Sequence, residues 1–329
     1  MDNMAEAQWE EAYVTDDLAS DLVRIIRRFS NPLAPIPTDR KPRLEPRRTI
    51  RAVLFDVYGT LFVSGSGDID GRTSAVAATQ KSGQYQPPLV NALKIAGCHI
   101  LDAEAANDVG ESEYDEVIRS IHSEKRRLGI EHPEVDIIRV WKQVLSELNG
   151  SGLMRIPDDS AVPYRVAVAY ECLSNPVWPM PDAVEVIDAI ASHGIPLGIV
   201  SNAQFITPLL FPALLDRTTS ELSFDDSLCA YSFQLGEAKP SVRLYESVRE
   251  TMFRRMAIPP DQVLYVGNDM LNDIWAAAQA GLTTCLFAGD QRSLRLRSEN
   301  PLCTGTEPDY TVIELRQICD VLGIDSGTL

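Results

Sequence analysis

From Asp182 onward the chain alternates between two kinds of segment, and this constrains the fold more than any other feature. DAVEVIDAIASHG reads as a helix closed by Gly194, and IPLGIVSN as a strand ending at Ser201 and Asn202. A helical PLLFPALLD stretch, a strand LCAYSF and a helix SVRLYESVRETMFRRM follow. QVLYVGND is the next strand, ending at Asp269, then DIWAAAQAG is a helix and LTTCLFAG a last strand. An earlier strand, Thr49–Val57, precedes them all. Helix–strand alternation of this kind predicts an α/β fold, a doubly wound parallel sheet with helices on both faces. The tail, PDYTVIELRQICDVL, reads as a short strand or turn and a closing helix.

The first strand carries a signal of its own. In AVLFDVYGTLF a short apolar run stops at one acid, Asp56, followed by Tyr58, Gly59 and Thr60. Taken alone, this is also what a strand followed by an Asp-capped turn looks like. The later strands bring more to the same edge, where open α/β sheets bind ligands. The second supplies Ser201 and Asn202, the third is followed by Lys239, and the fourth supplies Asp269, with Asp273 one helical turn on. Asp269 and Asp273, four apart, share one helix face. Three carboxylates brought together repel one another unless a cation intervenes, and hard oxygen ligands suit Mg²⁺. Lys239 can stabilise a nucleophile and developing negative charge. The Ser201 hydroxyl and nearby N–H groups can hold an anionic oxygen.

Composition narrows the partners. The net charge of -17 disfavours extended nucleic-acid binding, which needs a basic face, and leaves room for a small anionic metabolite held by local cations. No apolar run is long enough to span a bilayer, so no membrane partner is expected. The acidic N-terminus lacks the order of a signal peptide, and a cytoplasmic location is expected. The six cysteines form no CxxC pair and read as small buried hydrophobes in a reducing compartment. The four histidines have no metal-ligand spacing.

Three regions are expected. Residues 1–48 form an N-terminal extension, with a helix over Asp16–Phe29 that packs or docks and an extended Pro- and Arg-rich linker. Residues 49–70 and 181–329 form the core. Residues 71–180 form a helical insertion without a convincing buried strand, with helices near Pro88–Ala96, Glu111–Leu128, Pro133–Leu148 and Ala161–Leu173. Leu61–Asp70 reads as a hairpin or flap with Gly65 and Gly67 at its tip.

The ordered set DVYGT, SN, KP and GNDMLND resembles the four motifs of the haloacid dehalogenase (HAD) superfamily of hydrolases. The resemblance implies a Rossmann-like core with a C1-type helical cap at the insertion. It also implies roles. Asp56 would be the nucleophile, Ser201 would bind the transferring group with Asn202 and Thr60 beside it, and Lys239 would pair with Asp56 and substrate. Asp56, Asp269, Asp273 and the backbone carbonyl of Tyr58 would hold Mg²⁺.

The motifs disagree on the reaction. Phosphatases of the family carry an acid two residues after the nucleophile, where this chain has Tyr58; a Tyr there resembles the 2-haloacid dehalogenases, whose halide leaves without a proton. The fourth motif, with Asp269 and Asp273, resembles the metal-dependent phosphatases. No convincing arginine of the insertion stands out for a halide or carboxylate; Arg72 and Arg139 qualify by location alone. The metal motif favours a Mg²⁺-dependent phosphatase of a small phosphorylated metabolite. A metal-independent 2-haloacid dehalogenase and a binding protein with little turnover are the alternatives.

Overall fold

The computed structural model describes residues 14–45, 49–66 and 87–324. Along the chain, α1 spans Asp16–Phe29, β1 Ala52–Phe55 and β2 Phe62–Ser64. A largely helical stretch follows: α2 (Pro88–Ile95), β3 (His99–Ile100), α3 (Ala103–Arg127), α4 (Ile137–Gly150), β4 (Met154–Arg155), α5 (Val162–Ser174) and β5 (Val177–Pro179). Then come α6 (Ala183–Ser192), β6 (Leu197–Ser201), α7 (Thr207–Leu214), β7 (Phe224–Tyr231), the short α8 (Ser232–Leu235) and α9 (Arg243–Met256). The chain continues through β8 (Val263–Gly267), a π-helical turn (Met270–Trp275), α10 (Ala276–Gln279), β9 (Thr283–Phe287), β10 (Tyr310–Val312) and α11 (Gln317–Leu322).

Six strands form one sheet in the order β10–β9–β8–β1–β6–β7, with every neighbouring pair parallel. All four residues of β1 are buried, and they divide between two cores. Val53 and Phe55 join the larger cluster, which also takes in the helical stretch, while Ala52 and Leu54 join the cluster under α9 and α10. Successive side chains on a strand point to opposite faces, so an unbroken apolar run is what a sheet covered on both sides requires. The strand order reverses at β1: the chain goes outward to β6 and β7, then crosses back to β8 on the other side. A crevice opens at such a switch point, outside the carboxyl ends of the strands. Asp56 follows β1 directly at that edge.

Two expectations change. β2 does not turn back on itself as a hairpin: it pairs antiparallel with β5, Val63 opposite Trp178. All of its residues are buried, so it needs a partner from within the fold. Gly67 and Asp70 lie outside the described residues. The third sheet strand ends at Tyr231 rather than Phe233, because Ser232 turns the chain into α8. The Ser232 hydroxyl accepts the Ala203 N–H at 2.8 Å and donates to Glu134 at 2.6 Å.

The helix of the N-terminal extension packs onto the core. α1 spans the predicted residues, with Thr15 capping its start. Its Leu22, Ile25 and Ile26 belong to the larger core, and it lies against both α5 and α7. Arg27 donates to the Ala213 carbonyl at 2.9 Å and pairs with Asp216 at 2.6 Å, while Asp21 receives Arg165 of α5. The described part of the Pro-rich segment is no free tether. The Ile36 N–H donates to Asp290, the Thr38 hydroxyl to the Ala288 carbonyl, and Arg43 exchanges main-chain hydrogen bonds with Thr311 of β10. No helix among the described residues is long and apolar enough to cross a membrane.

Candidate active site

The site is built around one buried cation. Lys239, from the loop between α8 and α9, donates to Asp56 Oδ1 at 2.8 Å and to Asp273 Oδ1 at 2.6 Å. All three side chains are nearly inaccessible. A buried ammonium is tolerated only when paired and hydrogen-bonded. Here its third proton reaches the Tyr265 hydroxyl at 3.2 Å. Burial works against the charge, but Asp273 and Asp56 overcome it and hold the Lys239 pKa above the ordinary lysine range. The Tyr265 hydroxyl also lies 2.8 Å from the Val200 carbonyl and 3.0 Å from Asp273 Oδ1; its one proton serves one of them at a time.

Asp273 is a brace. Its Oδ1 receives Lys239, and its Oδ2 receives the N–H groups of Asn268 at 2.9 Å and Asp269 at 2.8 Å. Both oxygens of the carboxylate expected to help hold a metal are thus engaged by N–H donors. Burial pushes its carboxyl up to about 6, with the Lys239 charge pulling the other way. The side chain folds tightly against the end of β8, and any Cβ on Gly267 would collide with its carboxylate. That close approach explains the glycine.

Asp269 takes a different role at the same edge. Its Oδ1 caps the π-helical turn through the N–H groups of Leu271 (2.8 Å) and Asn272 (3.1 Å). Arg297 grips the same carboxylate, Nη2 to Oδ2 at 2.6 Å and Nε at 3.1 to 3.2 Å. The loop carrying Arg297 is strapped on by main-chain bonds, Met270 N–H to Arg295 O and Arg295 N–H to Asn268 O.

The remaining predicted residues divide. Tyr58 turns its hydroxyl to Thr207, the first residue of α7, at 3.0 Å. Burial first, then the Glu171 charge, raises its pKa beyond the ordinary range, so it stays a neutral phenol. Asn202 lines the cavity at Asp56 but uses its amide on the backbone of Lys239, accepting the N–H at 2.6 Å and donating to the carbonyl at 3.3 Å. Thr60 is fully buried and donates to Asn268 Oδ1 at 3.1 Å. Ser201 is also fully buried at the tip of β6, its hydroxyl 3.3 Å from the Asn202 carbonyl.

A cavity of about 390 Å³ brings Asp56, Lys239, Asp269 and Asp273 to one wall. His122 and Arg126 of α3 and His132 face it from the helical stretch, with Arg295 and Arg297 at the side. Arg139 is exposed and does not line this cavity, and Arg72 lies outside the described residues. Sequence reading missed Tyr265, Asn268 and Arg297. Asn268 stood in plain view inside GND. Arg297 lay in the alternating run RSLRLR, which read as nothing in particular.

A family model for haloacid dehalogenase-like hydrolases matches residues 50–281. The chain belongs to that family, and is a hydrolase of its Rossmann-like fold. It is similar to a glyceraldehyde 3-phosphate phosphatase of Methanopyrus kandleri, 22% identical over 274 residues that cover 83% of this chain and 97% of the relative. It is also similar to a ribulose-1,5-bisphosphate 5-phosphatase of Halopiger xanaduensis, 27% identical over 146 residues, 44% of this chain and 56% of that one. Among solved structures, it resembles a 2-haloacid dehalogenase from Pseudomonas syringae pv. Tomato at 18% identity and a TM-score of 0.49, with 83% of this chain and 98% of that chain covered.

Proposed function

We propose that this hydrolase is a phosphatase of a small phosphorylated metabolite, working through an aspartyl-phosphate at Asp56. The observation that carries the reading is the second carboxylate, Asp269, in the same cavity as Asp56. In a metal-independent dehalogenase it would serve only as the cap of the π-helical turn and the partner of Arg297. The names of the phosphatase relatives point the same way.

In this reading an Asp56 oxygen attacks phosphorus in line, and the ester oxygen departs with its bonding electrons. Lys239 orients Asp56 through Oδ1 and offsets the charge gathered there. Asp273 and Tyr265 fix Lys239, and Asn202 fixes its backbone. Water then cleaves the phosphorus–oxygen bond of the aspartyl-phosphate, releasing phosphate and restoring the carboxylate.

The donors fit Mg²⁺ in kind. Two carboxylates, Asp56 and Asp269, and the main-chain carbonyl of Tyr58 would hold it, all hard oxygens, and Mg²⁺ keeps several waters and substrate oxygens besides. Bound there, the ion would neutralise phosphoryl charge. Among the described residues no three His, Cys, Asp or Glu side chains are arranged to hold a metal ion, and Asp269 is held by Arg297. The site would therefore form only as Arg297 yields.

The helical stretch within residues 71–180 would act as the cap, setting the substrate through α3 and α4. Five of the six free cysteines are buried, which supports a reducing, cytoplasmic setting.

The second reading is a metal-independent 2-haloacid dehalogenase, with an aspartyl ester at Asp56. The neutral Tyr58 and the Arg297-bound Asp269 favour it. Assay of the purified chain on phosphate esters and on 2-chloropropionate, with and without Mg²⁺, decides between them. The proposal expects Mg²⁺-dependent phosphate release. Chloride release without metal overturns it.

A further inference from the structure

The loop that carries Lys239 is held from the helical stretch as well as from the sheet. Between α3 and α4, residues 132–134 run antiparallel to residues 236–238, with Pro133 opposite Glu237. The Ala238 N–H donates to the His132 carbonyl at 2.8 Å, and the Glu134 N–H to the Gly236 carbonyl at 3.1 Å. Lys125 of α3 ties the two segments further, its ammonium donating to the Glu134 carbonyl at 2.6 Å and the Gly236 carbonyl at 3.4 Å. Lys239 follows Ala238 directly.

The Glu134 side chain fastens this ribbon to the sheet. Its Oε2 accepts the Ser232 hydroxyl at 2.6 Å. Its Oε1 accepts the Gln204 amide at 3.1 Å and the Val135 N–H at 2.9 Å. Ser232 is fully buried and follows the end of β7; Gln204 lies two residues beyond Asn202, after β6. One carboxylate thus spans the ends of two neighbouring strands, from which the chain runs on to Asn202 and to Lys239. Asn202 in turn accepts the Lys239 N–H at 2.6 Å.

The two ends of Lys239 are fixed separately. Its ammonium is held by Asp56, Asp273 and Tyr265. Its main chain depends on Asn202 and on the ribbon. A lysine stem is flexible, so the ammonium keeps one position against Asp56 only when both ends are set. Displacement of a reacting group by about 1 Å costs on the order of 100-fold in rate.

We propose that Glu134 is a positioning residue for hydrolysis: from the helical stretch it sets the loop of residues 236–239, and through it the place of Lys239 against Asp56. The proposal rests on Lys239 serving Asp56, which the phosphatase and dehalogenase readings share.

The hydrogen bonds separate the variants. In Glu134→Gln the side-chain oxygen keeps Gln204 and Val135. The new amide donates to Ser232, whose proton turns to the Ala203 carbonyl, 3.1 Å away. Each of these donors keeps an acceptor. In Glu134→Ala the span is lost.

The test compares the full chain with both variants. Rates are measured with Mg²⁺ on acetyl phosphate, or on 2-chloropropionate if the wild-type chain releases no phosphate. Hydrogen–deuterium exchange is followed at Ala238 and along β1 and β8. Glu134→Ala is expected to lower kcat by about tenfold or more while KM changes by less than about threefold. Its Ala238 amide should exchange about tenfold faster, with β1 and β8 unaltered. Glu134→Gln should recover kcat to within about threefold of wild type, because its hydrogen bonds are complete. If circular dichroism shows Glu134→Ala unfolded, Glu134→Asp replaces it, being one methylene too short to span Ser232 and Gln204. A wild-type kcat in the shortened variant, equal losses in it and in Glu134→Gln, unchanged exchange at Ala238, or faster exchange throughout β1 and β8 overturns the inference. Chloride release without phosphate release overturns the phosphatase reading and leaves this comparison intact on 2-chloropropionate. No hydrolysis of either compound by the wild-type chain overturns both.

Discussion

Arg297 holds Asp269 by two nitrogens, the shorter contact being 2.6 Å, so the carboxylate that a metal would need already has a cation. The pair is a third exposed on the arginine side. An ion pair at such a site contributes roughly 1 kcal/mol, which is several-fold in a binding constant. Arg297→Ala should therefore bind Mg²⁺ several-fold more tightly than the wild-type chain when the metal alone is titrated by calorimetry. Unchanged or weaker metal binding would show that Asp269 is not a ligand.

Lys239 is the hub of the buried network, bonded to Asp56, Asp273 and Tyr265. Lys239→Met leaves two carboxylates buried without their cation. Breaking such a set costs about 3–5 kcal/mol. Urea unfolding of Lys239→Met at neutral pH should show a loss of that order, together with loss of hydrolysis. Lys239→Met unfolding at the wild-type midpoint would show that the carboxylates do not depend on this lysine.

Gly267 leaves room for Asp273. Gly267→Ala places a methyl group against the Asp273 carboxylate. Overpacking of this kind costs roughly 1–3 kcal/mol and shifts the side chain concerned. The variant should melt at a lower temperature and lose turnover more than affinity, since Asp273 positions Lys239 rather than touching substrate. Wild-type melting and kcat would mean that Asp273 is held less tightly than the geometry states.

Tyr58 stays protonated because burial and the Glu171 charge raise its pKa above the usual value near 10. It therefore contributes no ionisation to the pH–rate profile below that range. Tyr58→Phe should leave the shape of the profile from pH 5 to pH 9 unaltered, as roughly follows from a raised phenol pKa. Tyr58→Asp should raise phosphate release from alkyl esters more than from aryl esters, because it restores a proton donor. A lost alkaline limb in Tyr58→Phe would identify the phenol as a titrating catalytic group.

Much of the core could be read from local pattern. The unbroken run Val53-Leu54-Phe55, the helix–strand alternation after Asp182 and the polar residues at or after the strand tips are one-dimensional signals, and they locate Asp56, Lys239, Asp269 and Asp273 at one edge. Their division of labour is not one-dimensional. Asp269 and Asp273 look alike in the sequence. They differ because the Asp273 side chain folds back onto the N–H groups of Asn268 and Asp269, while Asp269 faces a loop that returns from beyond β9. Thr60 and Ser201, expected at the substrate, are fully buried. The pairing of β2 with β5 and the seating of α1 on α5 and α7 depend on contacts between distant segments, which no local pattern encodes.

The central claim is that Asp56 is the covalent nucleophile for phosphoryl transfer. Its most direct test is mass spectrometry of the acid-quenched enzyme during turnover of acetyl phosphate with Mg²⁺ present. A phosphate adduct mapped to Asp56, absent from Asp56→Asn, is the predicted result. Sustained phosphate release by Asp56→Asn, or an adduct on any other residue, contradicts the account.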